Sequence, residues 1–350
     1  MTASVKRLAK RIAIAGGLET ANLLRAAGVM RGARGLGAIF TLHHVRPHEE
    51  TAFAPNAHLE ITPEFLHLVL NRLRSDGYRF VALDEIPELV SQSGSSEPFA
   101  AFTLDDGYRN NLVYALPIFE KHEAPFTIFV AKGLAERTHT IWWETLAALL
   151  RKEEKIGFDF GGGHEMLDVT TTDAKERVFA RIANHLHRHD ERAAVAAIDR
   201  MARKHEIDPD EIVDDLVMTP AELNLLEASP LASLGAHTIS HRAISRLCDQ
   251  EVRDEMEASR DYVAAITGAR PGSFAYPYGT HGAVTHRQAA IAREVGFDIA
   301  VTTQPGVVTQ HSLNSMTYLP RLSINGLYQN VRYVSGLASG IPFRFTPNRA

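Results

Sequence analysis

Short apolar runs alternate with helical stretches along most of this chain, and that alternation limits the fold more than any other feature. Gly37 to Val45 reads as a first strand, stopped by Arg46-Pro47. Thr62-Pro63-Glu64 reads as a helix start: a capping hydroxyl, proline at the first helical position, then an acid. Phe65, Leu66, Val69, Leu70 and Leu73 keep a helical period, and Gly77 ends it. A short strand over 79–83 and a helix opening at Asp84 follow. A Ser/Gly loop, Ser91 to Ser96, leads to a strand at Phe99 to Leu104, a helix over 108–122 and a strand at Phe126 to Val130. Repetition of this kind builds parallel βα units.

The rhythm breaks over about 134–217. Trp142 to Leu150 and Ala174 to His205 are helical in pattern, punctuated by Gly161-Gly162-Gly163 and Thr170-Thr171-Thr172. We read this stretch as a mostly helical insertion. Thr219-Pro220-Ala221-Glu222 is another helix start. Strands at 231–236, 273–276, 298–303 and 319–323 then alternate with helices at 249–267, 283–294 and 325–338. The expected fold is α/β: a distorted (β/α) barrel over 35–340 carrying the helical insertion. No glycine-rich phosphate fingerprint follows the first strand, which argues against an open doubly wound sheet.

The 350 residues suffice for one barrel plus an insertion. A net charge of −5 offers no basic face for nucleic acid, so no such partner is expected. Cys248 is the single cysteine, which excludes a disulfide framework or a cysteine metal cluster within one chain. Near the N-terminus, Lys6, Arg7, Lys10 and Arg11 precede Ile12-Ala13-Ile14-Ala15, and Gly16-Gly17 stops the apolar run. That run is short of the ~7–15 apolar residues of a signal peptide. No stretch approaches the ~20 apolar residues of a membrane span. Residues 1–34 therefore read as a basic, amphipathic helical lead-in, with peripheral membrane contact as the sharper reading. The expected location is the cytoplasm or its membrane surface; oligomeric state is left open.

The chemistry concentrates at strand ends. Phe102-Thr103-Leu104 runs into Asp105-Asp106-Gly107. An Asp-Gly pair alone is commonly a turn. At the carboxyl end of a parallel strand, however, two adjacent acids point in different directions at the active face. One can bind a cation while the other faces substrate. His237-Thr238-Ile239-Ser240-His241 follows another apolar run, and its two imidazoles can converge on one ion from a helix face or from a turn. Thr238 occupies the position where a zinc-protease motif has glutamate. Phe274-Ala275-Tyr276-Pro277-Tyr278-Gly279 reads as a strand entering a rigid loop that presents a backbone N–H and an aromatic wall.

Together, in this order, the three motifs resemble those of the NodB-homology polysaccharide deacetylases, carbohydrate esterase family 4. Phe102 to Gly107 is similar to the family's TFDDG motif, with leucine for phenylalanine. His237 to His241 matches H-S/T-x-x-H, and Phe274 to Gly279 matches the FAYPYG form of the third motif. The resemblance spans about 37–325 outside the insertion. It implies a distorted barrel and metal-dependent removal of N-acetyl groups from amino sugars of a polysaccharide, chitooligosaccharide or glycan precursor. It also implies that Asp106, His237 and His241 bind the metal, that Asp105 is the general base, and that the Tyr278 N–H helps hold the oxyanion. Such a ligand set suits zinc first, with cobalt and nickel close behind.

Two positions depart from the family pattern. Many members carry an arginine in the third motif, where this chain has Ala275; Arg321, at a late strand end, is the candidate replacement. A C-terminal L-x-H motif is missing, and Leu42-His43-His44-Val45 resembles the Y-H-x-V strand that supplies the general acid in some relatives. His43 is therefore the general-acid candidate. His44 faces the opposite side of the strand, and His311 is a weaker alternative. Two other functions remain: deformylation or deacylation of a lipid- or nucleotide-linked sugar, and a catalytically silent glycan-binding protein on the same scaffold.

Overall fold

The computed structural model describes residues 3–92 and 97–345, with side chains from Ala9 onward. Most of the expected Ser/Gly loop, Ser93 to Ser96, lies outside the described residues, as do the side chains of Lys6 and Arg7.

Eight strands form the central sheet: β1 (Gly37–Leu42), β2 (Arg79–Phe80), β3 (Phe99–Leu104), β4 (Phe126–Val130), β5 (Ala232–Ala236), β6 (Ser273–Ala275), β7 (Ile299–Val301) and β8 (Leu322–Ser323). Their order is β7-β6-β5-β4-β3-β1-β8, with β2 on β3, and every pairing is parallel. The sheet curls until its ends meet through the segment around Arg321. Leu319 bridges to Val301 of β7, while Leu322 and Ser323 pair with β1. The expected strand over 319–323 is thus divided between two neighbours, which is why it is so short. The result is a distorted (β/α) barrel.

Every residue of β1, β3 and β4 is buried, as parallel strands covered on both faces must be. Alternation sorts them. Phe40, Leu42, Phe102, Leu104, Ile128 and Val130 pack outward against helices, with Phe40 and Phe102 stacked at 5.6 Å. Ile39, Ala101, Phe129, Ala275 and Val301 form a second cluster inside the barrel. The helix Pro63–Ser75 begins as its sequence implies: the Thr62 hydroxyl accepts from the Phe65 N–H, and the five periodic apolar residues are its buried face. The capping box at Thr219/Glu222 starts Pro220–Glu227 in the same way.

Some boundaries differ from expectation. The helix expected over 108–122 opens with a π-turn at Asn111–Ala115 and becomes regular only at Leu116–Lys121. Pro117 lacks the N–H that a regular helix would use there. The last helix is shorter than 325–338, running over Val331–Ala338.

Between β4 and β5 the chain leaves the sheet for residues 131–231. Helices Trp142–Lys152, Thr172–Leu186 and Glu191–Lys204 pack around their own apolar core. An antiparallel hairpin, Lys155–Asp159 with His164–Asp168, lies among them. Its turn carries the Gly161-Gly162-Gly163 run. Gly161 and Gly163 have positive φ, and both donate their N–H to Asp159 Oδ1.

Candidate metal and catalytic site

Register places the two chemical strand ends. Leu42 of β1 pairs with Leu104 of β3, so His43 and Asp105 emerge side by side. The Asp105 N–H donates to Leu42 O at 3.0 Å. Both continue the inward alternation of Thr41 and Thr103. Val130 of β4 pairs with Ala236 of β5, and the His237 N–H donates to Val130 O at 3.1 Å. Both motifs therefore arrive at the carboxyl-end rim, where barrels of this class carry their sites.

Asp105 is 2% exposed and Arg321 is fully buried. The guanidinium grips the carboxylate through two bonds of 2.7 Å, Nη1 to Oδ1 and Nη2 to Oδ2. Arg321 also donates to Thr103 Oγ1 and to the Thr302 carbonyl, at 2.9 and 2.8 Å. Burial pushes the Asp105 carboxyl up, and the adjacent Arg321 more than reverses this, leaving it below the usual carboxylate range. Asp105 is thus a fixed, ionised group.

Asp106 turns the other way because its backbone is left-handed, φ 73°, followed by Gly107 at 69°. Its carboxylate is buried, and Oδ1 lies 3.4 Å from His237 Nε2 and 3.1 Å from His241 Nε2. One ligand atom from each of the three residues falls within 4.8 Å of the others. The two histidines come from a turn, not a helix: Thr238 and His241 both have positive φ, and the Thr238 hydroxyl accepts from the His241 N–H. His237 Nδ1 sits 2.7 Å from the Ala275 carbonyl. That contact requires the proton on Nδ1 and leaves the Nε2 lone pair facing Asp106. Asp106 Oδ1 and His241 Nδ1 are buried without a hydrogen-bond partner among the described residues. Burial lowers His241 and the Asp106 carboxylate raises it past its ordinary value. Lone pairs from one carboxylate and two imidazoles meeting in a buried spot are a donor set that fits a divalent cation.

His43 lines the same cavity, with Nε2 3.9 Å from Asp105 Oδ2. Burial lowers its imidazole below the ordinary value, against the pull of Asp106 and Asp105. His44 points the other way and is fully buried, stacked on Tyr108 at 3.6 Å. His311 is exposed and does not line this cavity. In the third motif, Tyr278 and Gly279 both have φ of 59°. A Cβ on Gly279 would meet the Thr303 nitrogen at 2.4 Å, so the turn needs glycine there. The neighbouring N–H groups of Tyr276 and Gly279 donate to Val301 O and Pro277 O, whereas the Tyr278 N–H has no backbone acceptor among the described residues.

Several residues at the site carry no motif signal. Glu255, from the helix Asp249–Thr267, accepts from the N–H groups of Ile239 and Ser240 at 2.8 and 2.9 Å. It thereby holds the histidine turn from beneath. Glu191 accepts from the Tyr278 hydroxyl at 2.7 Å and from the Ala243 N–H at 3.0 Å. Asn110 and Asn111 secure the end of β1: Asn110 accepts from the Val45 N–H, and Asn111 donates to the His43 carbonyl. Trp142, Trp143, Phe179 and His187 wall a cavity of about 410 Å³ above the Asp/His group. Trp142 donates to the Tyr278 hydroxyl at 2.9 Å, and Trp143 lies 4.9 Å from the His241 ring. The one legible hint was the tryptophan pair itself, which reads as ordinary core when only helical spacing is available.

A family model described as polysaccharide deacetylase matches residues 92–164 and 162–300, more than half of the chain. No curated protein matches it. Among solved structures, the Streptococcus pyogenes deacetylase PplD in complex with acetate is 18% identical, with 83% of this chain and 92% of that one covered at a TM-score of 0.54. IcaB from Ammonifex degensii is 17% identical, covering 87% of this chain and 98% of that one, with a TM-score of 0.55. The putative polysaccharide deacetylase BA0330 from Bacillus anthracis is 14% identical over 86% of this chain and 68% of that one, with a TM-score of 0.53. At these identities the likeness is one of fold. The family match covers both the Asp105-Asp106 and the His237–His241 motifs, and the chain belongs to the polysaccharide deacetylases, hydrolases of amide bonds on sugars.

Proposed function

We propose that this chain is a divalent-metal N-deacetylase of an amino-sugar glycan, with Asp106, His237 and His241 as metal ligands and zinc as the metal that suits them first. The observation that carries this reading is the buried Asp106 Oδ1, unpartnered and faced by two imidazole nitrogens at 3.4 and 3.1 Å. An ion held there would supply Lewis acidity toward the amide carbonyl and lower the pKa of a water. Three protein ligands leave room for both.

The chain's own groups supply the remaining steps. Asp105, oriented by Arg321, takes a proton from the attacking water. The Tyr278 N–H donates to the oxygen on which negative charge develops. His43 delivers a proton to the departing sugar nitrogen. Burial lowers its imidazole, and the proton that Asp105 takes from the water passes to it across the 3.9 Å between Oδ2 and Nε2. The aromatic wall of Trp142, Trp143 and Phe179 excludes water and offers faces for a sugar ring.

The test is acetate release by zinc-loaded protein from N-acetylglucosamine oligomers, cell-wall glycan and exopolysaccharide. Release from at least one, abolished by a chelator and restored by zinc, is expected. No release from all three sinks the proposal, and mass spectrometry of the products separates acetyl from formyl removal.

A further inference from the structure

One flank of the barrel has a separate character. The helix Ala3–Ala26 lies against Val331–Ala338 and buries Leu18, Ala21 and Asn22. Arg332 pairs with Glu19 at 2.7 Å across that contact. Its outward face is uncovered: Ile12 is 63% exposed and Leu23 is 62% exposed. They are eleven residues apart, three helical turns, and so share one side. Val29 and Met30 continue the exposed apolar surface past the helix end.

Charge is segregated to the same segment. Residues 1–34 hold seven lysines and arginines against one acid, a net +6 in a chain of net −5, so the remainder carries −11. Arg25, Arg31 and Arg34 line a cavity of about 280 Å³ with Asp76 and Tyr78. Asp76 is already paired to Arg25 and Arg72 at 3.1 Å each, so the cavity's balance is positive. This cavity is at the amino-end rim. Arg34 lies three residues before β1, and Tyr78 immediately precedes β2. The Asp/His group is at the other rim.

We propose that the Ala9–Arg34 surface docks on an anionic lipid bilayer. Exposed isoleucine, leucine, valine and methionine beside a basic cluster are the chemistry of an interfacial helix. The −11 on the rest of the molecule disfavours any other orientation on such a surface. A neutral apolar partner would not select for this concentration of cations.

Sedimentation of the full chain with vesicles tests this. Vesicles mixing phosphatidylcholine equally with phosphatidylglycerol should bind on the order of tenfold more chain than phosphatidylcholine alone. About 0.5 M salt should remove most of that difference. K10E with R31E should weaken binding to the anionic vesicles, and I12D with L23D should weaken it even at low salt. Both double variants should retain the circular dichroism of the parent and its acetate release from a soluble oligomer, if the parent shows any. Equal binding to both vesicles, or to neither, overturns the proposal. So does a concentration-dependent dimer by light scattering that L23D abolishes, because that result assigns the face to a second copy.

Discussion

The two rims of the barrel are built from the same strands and differ in what they tolerate. At the carboxyl-end rim, Asp106, Thr238, His241 and Tyr278 are all non-glycine residues at positive φ. Asp106 Oδ1 and His241 Nδ1 are buried there without partners. Left-handed backbone and unsatisfied buried polar atoms each cost on the order of 1–3 kcal/mol. At the amino-end rim Arg25 pairs with Asp76, and the left-handed non-glycine residues, Met30 and Glu123, stand apart from each other. A surface built only for stability would not gather four such residues and two such atoms around one site. Their position follows the chemistry, and the surrounding core offsets their cost.

The contrast is sharpest at Arg321. Arg321→Leu leaves Asp105 buried and unpaired, and should lower stability by about 3–5 kcal/mol, read by urea denaturation. A loss under ~1 kcal/mol would show that Asp105 reaches water or a proton more easily than its burial suggests. Asp105→Asn keeps the shape while removing the base. Acetate release should fall about 10²–10⁴-fold, with zinc affinity by competition titration unchanged. Equal activity would refute the role given to Asp105.

Glu255→Gln probes the rim one layer down. The turn keeps an acceptor and loses a charge-assisted one, so zinc affinity should weaken roughly tenfold with the global fold intact. Unaltered affinity would mean that the turn holds itself.

The smallest effect is expected outside the cavity, at Glu222. Partial burial raises its carboxyl, but bonds from Arg109 and Thr219 bring it down to about 2. A carboxyl depressed in the folded state stabilises above its unfolded value and loses that contribution as pH falls through the folded one. Glu222→Gln should therefore cost about 1 kcal/mol near neutrality, after allowance for solvent screening. The difference from the parent should shrink between pH 4.5 and about 2. A difference that persists below that range would place the effect in packing rather than charge.

Much of the architecture was legible because local rules agree with it. Thr62-Pro63 and Thr219-Pro220 start helices where capping chemistry says they should. The helix at Asp249–Thr267 has the bounds its pattern implies. The insertion hairpin was less legible, because Lys155 to Asp168 is mostly exposed and its alternation is short. The helical option for His237 and His241 gave way to a turn because Glu255, from a different element, supplies the acceptors that a helix would have provided internally.

The order of chemical side chains along the chain, their strand-end positions and the family they signal were determined by the sequence alone. Those are properties of neighbouring residues, and propensity and spacing encode them. Which partners those side chains meet was decided only in three dimensions. Arg321 reaches Asp105 across 216 positions, and Glu191 reaches Tyr278 across 87. Such contacts depend on how far the sheet curls before it closes and on how the inserted helices settle over its mouth. Closure and docking are set by the packing of the whole core, which no short window of sequence contains.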